Sequence, residues 1–300
     1  DLRMSRGLGD VYKRQDLHNI LKRVRVLQEI IKMLLLSWST VENSDCSIDG
    51  IIDWIENLNQ TVKVSIRKTI LSDSDFWFYD KESGKILNKN HSFFQISGMR
   101  KYVGDQLVLE QPVILQDEIG YLGIICKEIN GVIYFLMQAK IEPGNVNKIQ
   151  ISPTIQATKS NFTQKHGGKK PPYLEYFEHA DQYKIIVDQI QSEQSSRFYK
   201  KRNRNIIILV DDDVEVLPNH KWMTLGQIKQ LMKYDNLVNM DTRTVLSCIP
   251  FYMMKKSEQV ESLFHEKSLY YSILKNDSGR ILPSIYLSLI HISEPTRHAQ

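Results

Sequence analysis

Charged and amide side chains gather between residues 134 and 162, where the sequence reads YFLMQAKIEPGNVNKIQISPTIQATKSNF. Val132 to Ala139 alternates like a strand, and Lys140 and Glu142 then precede the turn signal Pro143-Gly144-Asn145. A second alternating segment follows the turn. The pattern therefore predicts polar side chains at the ends of two consecutive strands, which is how a sheet builds a polar pocket.

Lys140 and Glu142 are two residues apart, so on a strand their side chains share a face. A lysine in such a place can hold an anionic group, and a carboxylate can accept hydrogen bonds or move a proton. A surface ion pair beside a turn is the alternative interpretation.

The loop after Gln156 carries an ammonium, a hydroxyl and an amide on Lys159, Ser160 and Asn161. Together with backbone N–H groups, these donors suit phosphate oxygens. A polar loop that only turns the chain is the alternative. His166 follows in a basic, glycine-containing loop and is the candidate proton carrier by its intrinsic pKa, although such a histidine is more often merely solvated.

Two further side chains are candidates for substrate contacts. Trp77 has an aromatic face that can stack on a base or a sugar, with a core tryptophan as the alternative. Arg197 is predicted to lie on a helix four residues after Glu193, where an ion pair is the default and a phosphate contact is the functional interpretation.

No metal site is predicted. Asp211-Asp212-Asp213 follows a predicted strand and is interpreted as a solvated loop. The sequence has no GxxxxGK[ST] and no GxSxG, and FHEKSL lacks the second histidine of HExxH.

The amino-terminal half is predicted to contain two helices and several strands. Apolar residues at helical spacing predict helices over Asp16–Trp38 and Ile51–Leu58. Alternation predicts a strand over Thr61–Ile66 and a hairpin that starts at Trp77–Tyr79 and turns at Ser83-Gly84.

A second hairpin joins Ile119–Lys127 to Val132–Ala139 through Asn130-Gly131, a strong short-range turn signal. Further along, the spacing predicts a helix over His179–Lys200 and a buried strand over Ile206–Val210.

Helix starts are predicted near the carboxyl-terminal end of the domain. Thr224 and Gln227 have the form of a capping box, and Asp241 is predicted to cap the following helix. A last helix is predicted over Ser257–Leu274.

Composition excludes several classes of protein. The chain has 39 basic and 35 acidic residues and a net charge of +4, which is no nucleic-acid signature, although KKRNRN forms a basic patch. An RNA-binding role for that patch is a weaker interpretation, because interleaved stacking aromatics are lacking. The longest apolar stretch, Ile30 to Trp38, contains Lys32 and is too short to span a bilayer. Three widely spaced cysteines indicate no disulfide framework and favour a reducing cytoplasm.

Both ends of the chain are expected to be foreign. Residues 1–15 and 289–300 resemble translated sequencing-adapter read-through and are left out of the fold prediction.

Several long motifs resemble the NDP-hexose 2,3-dehydratases of deoxysugar biosynthesis, and the resemblance covers Ile51 to Phe251. Besides the run from Tyr134 to Phe162, they are HSFFQISGM at 91–99, LEQPVILQDEIGYLGII at 109–125, QSEQSSRFYKKRNRN at 191–205, WMTLGQI at 222–228 and VNMDTRTVLSCIPF at 238–251. The family implies an α+β fold, with a Nudix-like mixed β-sheet flanked by helices, and two duplicated modules. Residues 16–255 would form the first, nucleotide-sugar-binding module and residues 256–288 a helical linker toward the second. The glutamate-rich metal box of Nudix hydrolases is not found, which argues against pyrophosphate hydrolysis.

The resemblance implies elimination of the C2 hydroxyl from an NDP-4-keto-6-deoxyhexose, chemistry that requires no redox cofactor or metal. It also implies a dTDP-4-keto-6-deoxy-sugar as substrate and a homodimeric full-length protein in the cytoplasm, with no nucleic-acid or membrane partner. Glu142, His166 and Lys140 are the predicted catalytic residues. Substrate binding is predicted at Trp77, Gln138, Asn145, Gln156, Thr158, Lys159, Ser160, Asn161, Phe162 and Arg197. A non-catalytic nucleotide-sugar-binding module is the alternative.

Overall fold

A computed structural model of the chain describes residues 29–42, 47–158 and 170–249. These residues form an α+β fold with a four-stranded sheet and a seven-stranded sheet. The predicted tails, the predicted linker and the helix predicted over Ser257–Leu274 lie outside the described residues, as does the first part of the helix predicted from Asp16.

The smaller sheet is an antiparallel meander in the order β1-β2-β3-β4. Its strands are β1 Trp77–Asp80, β2 Lys85–Asn88, β3 Gln95–Val103 and β4 Gln106–Leu115. The predicted hairpin at Ser83-Gly84 is confirmed, and Gly84 has a φ of +68°, a left-handed conformation that suits glycine.

The larger sheet is mixed and has the order β11-β6-β5-β10-β9, with β7 added to β6 and β8 added to β5. Its strands are β5 Gly120–Ile129, β6 Val132–Ile141, β7 Ile149–Ser152, β8 Ile155–Ala157, β9 Lys184–Ser192, β10 Arg202–Val210 and β11 His220–Thr224. β10 runs parallel to β5, and the other pairs are antiparallel. The predicted Asn130-Gly131 hairpin and the buried strand over Ile206–Val210 are confirmed.

Helices cover both faces of this sheet. They are α1 at residues 29–39, α2 Ile48–Thr61, α3 Leu174–Glu178, α4 Leu225–Leu231 and α5 Met240–Ser247. Alternate residues of a strand point to opposite faces, so Ile124 of β5 packs in one core with α1, α2, α4 and α5, while Ile125 packs in a second core with α3. Among the described residues, no helix is long and apolar enough to cross a membrane.

The capping box is confirmed at the start of α4. Thr224 Oγ1 accepts a hydrogen bond from the Gln227 backbone N–H at 3.1 Å, and the Gln227 side chain accepts one from the Thr224 backbone N–H at 2.9 Å. Both of these bonds satisfy N–H groups that a helix leaves without intrahelical partners.

The strand predicted over Thr61–Ile66 is wrong. Thr61 is the last residue of α2, and residues 62–70 have no regular secondary structure. Val64 and Ile66 are 48% and 51% exposed. Their alternation therefore reflects no buried strand face, because no neighbouring sheet covers them.

The helix predicted over His179–Lys200 is also wrong, because the central part of that segment, Lys184–Ser192, is β9, an edge strand paired with β10. Ile185 and Ile190 are 41% and 53% exposed, so the helical spacing of isoleucines does not mark a buried helix face. β-branched residues favour strands, and the exposed edge of β10 supplies the partner. Glu193 and Arg197 consequently do not face each other on a helix.

The cap predicted for Asp241 belongs instead to Asn239. Asn239 Oδ1 accepts from the Thr242 backbone N–H at 2.8 Å, and Asp241 is the second residue of α5. Asparagine and aspartate are comparable N-cap residues, so the sequence alone did not separate the two positions.

Candidate functional site

The predicted pair at the end of β6 forms the centre of a polar network. Lys140 Nζ lies 3.0 Å from Glu142 Oε1, and both side chains are partly exposed. Gln156 Nε2 donates to the same carboxylate oxygen at 3.1 Å, and Lys140 Nζ donates to the Gln156 backbone oxygen at 3.5 Å. We call Lys140, Glu142 and Gln156 the strand-end network. The structure brings together these three residues, which the sequence predicted at strand ends, and their roles in a site stay predictions.

Asn239 extends this network to α5. Its Nδ2 donates to Ser152 Oγ at 2.7 Å and to Gln156 Oε1 at 3.4 Å, while its Oδ1 caps the helix. The Ser152 and Asn239 side chains are buried. One amide therefore fixes both the start of α5 and the orientation of Gln156, and nothing local in the sequence indicated this second role.

Asp241 lies in the first turn of α5, next to this network, and sequence reasoning did not include it among the site residues. The pKa of its carboxyl is raised to about 7, first by burial and then by the negative charges of Glu193 and Glu142. Lys140 and Arg243 act in the opposite direction. A carboxyl with this pKa is half protonated near neutral pH.

The end of β9 approaches α5 from the other side. Gln194 Nε2 lies 3.1 Å from Met240 Sδ, and Glu193 Oε2 accepts from Asn203 Nδ2 at 2.6 Å. Lys201 is 4% exposed, and its Nζ donates to the backbone oxygen of Glu118. Burial lowers the pKa of Lys201, and the negative charges of Glu118, Glu193 and Asp117 raise it by a smaller amount.

An open cleft of about 470 Å³ lies between the β2–β3 connection and the residues that follow β4. Phe93, Phe94, His91 and the buried Gln116 are among its lining residues. The ring of Trp77 packs on Phe94 at 4.7 Å between centroids, so Trp77 supports the wall of the cleft. Its predicted stacking on a ligand stays a prediction.

The remaining predicted positions are spread over several elements. Gln138 pairs across the sheet with Ser152 of β7 and His220 of β11, and Thr158 follows β8. Asn145 Nδ2 donates to the backbone oxygens of Lys140 at 3.3 Å and Lys148 at 3.5 Å, which closes the turn after β6.

Arg197 is exposed in the β9–β10 connection, and its backbone oxygen accepts from Ile114 N–H at 2.8 Å, joining the two sheets. Lys159, Ser160, Asn161, Phe162 and His166 lie outside the described residues.

In the described ranges, no three His, Cys, Asp or Glu side chains are arranged to hold a metal ion. Of the predicted solvated aspartates, Asp212 accepts from the Tyr183 hydroxyl at 2.9 Å and Asp213 pairs with Lys127 at 3.2 Å. That the reaction requires no metal or cofactor stays a prediction.

The fold and the network define an α+β protein with a polar site at the ends of strands. The family model of NDP-hexose 2,3-dehydratase matches residues 49–249, so the chain belongs to that family and the resemblance found in the sequence is confirmed.

Two similar proteins are each named dTDP-4-dehydro-6-deoxy-alpha-D-glucopyranose 2,3-dehydratase. The one from Saccharopolyspora spinosa is 50% identical over 178 residues, covering 59% of this chain and 37% of the relative. The one from Amycolatopsis orientalis is 40% identical over 225 residues, covering 73% of this chain and 48% of the relative. The chain thus spans less than half the length of these relatives.

A crystal structure of the C. elegans Ap4A hydrolase aligns with a TM-score of 0.27 and 15% identity, covering 44% of this chain and 94% of that chain. At this degree of similarity the predicted Nudix-like topology stays a prediction. The α+β class and the mixed sheet are confirmed by the structure itself.

Proposed function

We propose that this chain is part of a sugar 2,3-dehydratase that removes the C2 hydroxyl of an NDP-4-keto-6-deoxyhexose. Its membership of the family and the names of its relatives support this proposal. The observation that carries it is the strand-end network, in which a lysine and a carboxylate lie 3.0 Å apart and share Gln156 as a partner. Such a pair offers a cation and a proton acceptor to one ligand.

The C4 ketone of the substrate acidifies the hydrogen on C3, so a base can remove that proton while a donor holds the enolate oxygen. In the proposed site the Lys140 ammonium is the donor. The C2 hydroxyl then leaves as water with help from an acid, and the product tautomerises to a 2-deoxy-3,4-diketo sugar nucleotide. Glu142 and His166 are the proton carriers proposed from the sequence.

We propose that the diphosphate binds to the loop predicted from the sequence after Gln156, in which Lys159, Ser160 and Asn161 offer donors of three types. Arg197 is a further cation for phosphate, and Trp77 a platform for the base or sugar. Gln138, Asn145, Thr158 and Phe162 complete the proposed binding surface.

The test is incubation of the complete protein with dTDP-4-keto-6-deoxyglucose, followed by mass spectrometry for loss of one water. Release of water supports the dehydratase. Tight binding of the substrate by calorimetry without any loss of water would instead support a non-catalytic nucleotide-sugar-binding module. Turnover that disappears in EDTA and returns with magnesium or zinc would contradict the proposed metal-free chemistry.

The complete protein is further proposed to be a cytoplasmic homodimer. Cys126 and Cys248 are both free thiols, as a reducing compartment requires. The β3–β4 hairpin exposes Val103, Leu107, Val108 and Leu109 on its two faces, and exposed apolar side chains that lie close together are typical of an interface. Light scattering of the complete protein at its working concentration measures the oligomeric state.

A further inference from the structure

We infer that Asp241 is the proton-transfer group of the proposed dehydration and takes the proton from C3 of the sugar. This inference rests on the proposed function. It assigns to α5 a role that sequence reasoning gave to Glu142 or His166.

The position of Asp241 is fixed by the two residues that precede it. Two residues before it, Asn239 bonds Gln156 and Ser152. One residue before it, Met240 contacts Gln194 at the end of β9. The first turn of α5 is therefore held against the strand-end network, and the carboxyl of Asp241 lies among charged groups from β6, β9 and α5.

The bonding of Asp241 differs from that of Glu142. Glu142 Oε1 already accepts from Lys140 at 3.0 Å and from Gln156 at 3.1 Å, so this oxygen is engaged by two neighbouring side chains. Among the described residues, the side chain of Asp241 forms no hydrogen bond or ion pair, so its carboxyl is left to receive a proton from a ligand. The buried His220 is a poor competitor because burial lowers its pKa to about 4.

The electrostatic surroundings agree with this role. Glu193 from the end of β9 and Glu142 from the end of β6 raise the pKa of Asp241, while Lys140 and Arg243 lower it, and burial is the largest cause of a value of about 7. A base whose pKa lies near the working pH combines a large deprotonated fraction with good proton affinity.

The Asp241 carboxylate takes the C3 proton, the electrons of the C3–H bond form a C3–C4 double bond, and the C4 carbonyl oxygen becomes an enolate next to Lys140. The enolate then reforms the carbonyl, a C2–C3 double bond forms, and the C2–O bond breaks. The hydroxyl leaves as water with the proton that Asp241 holds, so the carboxylate is regenerated.

The test is Asp241→Asn in the complete protein, with Asp235→Asn as the matched control because Asp235 is exposed in the preceding turn. Loss of a general base lowers kcat by about 10²- to 10⁴-fold. We expect that loss with little change in the affinity for dTDP, together with loss of deuterium exchange from solvent into C3. An Asp241→Asn enzyme that keeps kcat within about threefold and still exchanges C3 would overturn the inference.

Glu193→Gln gives a second readout that does not depend on the folding of the first variant. Removing that negative charge lowers the pKa of Asp241 and moves the rising limb of kcat/KM to lower pH. An unmoved limb contradicts the inference. If the unsubstituted protein releases no water at any pH, both the proposed function and the inference are wrong. If the unsubstituted protein and the Asp241→Asn variant are both fully active, the inference is wrong and the proposed function is kept.

Discussion

At the scale of single residues, Lys140 is the cation of the strand-end network, with its Nζ 3.0 Å from Glu142 Oε1. If the ammonium holds the enolate oxygen, it acts mainly on the transition state. We therefore expect Lys140→Met to lower kcat by about 10²-fold or more with a smaller effect on dTDP affinity. Steady-state kinetics and calorimetry measure the two effects, with the exposed Lys81→Met as control. A variant that changes only KM would assign Lys140 to binding alone.

His220 provides a prediction about stability. Burial lowers its pKa from 6.5 to about 4, so the folded protein holds a neutral imidazole. Below about pH 6.5 the unfolded chain takes up a proton at this histidine, whereas the folded protein does so only near pH 4. The free energy of unfolding is therefore highest above pH 6.5 and decreases as pH falls toward 4. The shift corresponds to a loss on the order of 3 kcal/mol. In urea unfolding at several pH values, the free energy of unfolding of His220→Gln should decrease less between pH 6.5 and pH 4 than that of the unsubstituted protein. His179 is exposed, so His179→Gln should behave like the unsubstituted protein.

At the scale of elements, the sequence predicted those features whose cause is local. The Asn130-Gly131 turn has positive φ at both residues, 52° and 81°, and the Thr224 capping box satisfies its own helix end. The prediction for the β9 segment was wrong because this strand forms through pairing with β10. The isoleucine spacing that suggested a helix carries no information about that partner strand. Lys140 and Glu142 were placed by strand parity, whereas Asp241 reaches them only through the long-range docking of α5.

The contact between α3 and the sheet gives a prediction at this scale. A Cβ added at Gly123 would lie 2.4 Å from a ring carbon of Phe177 and 2.8 Å from Ile155. Overpacking of this kind costs about 1–3 kcal/mol, so Gly123→Ala should lower the thermal midpoint. Gly144→Ala is the matched control, because nothing lies within 4 Å of its added Cβ. Adding Phe177→Leu to Gly123→Ala should recover part of the lost thermal stability, because it removes the ring that the new methyl group meets. If the effects of the two substitutions on stability simply add, the Phe177 ring is not the cause of the destabilisation.

At the scale of the whole molecule, the chain covers 37% and 48% of two relatives of its family. If a second module packs on this one, as predicted, the chain alone should expose the apolar surface that the second module would cover. The β3–β4 hairpin is the candidate for such a surface. Val103 is 63% exposed, and Leu107, Val108 and Leu109 are between 42% and 48% exposed. Residues on one hairpin that are apolar and exposed together favour association.

The chain made alone is therefore expected to associate, and Val103→Lys with Leu109→Gln should shift it toward monomer in light scattering while the circular dichroism spectrum stays unchanged. Val146→Lys is the control, since Val146 is 78% exposed in the turn after β6 and lies outside the hairpin. The physical reason is that a charged hairpin cannot bury its edge against another molecule without desolvating the lysine. A chain that is monomeric without substitution and unfolds in one sharp thermal transition would contradict the expected association.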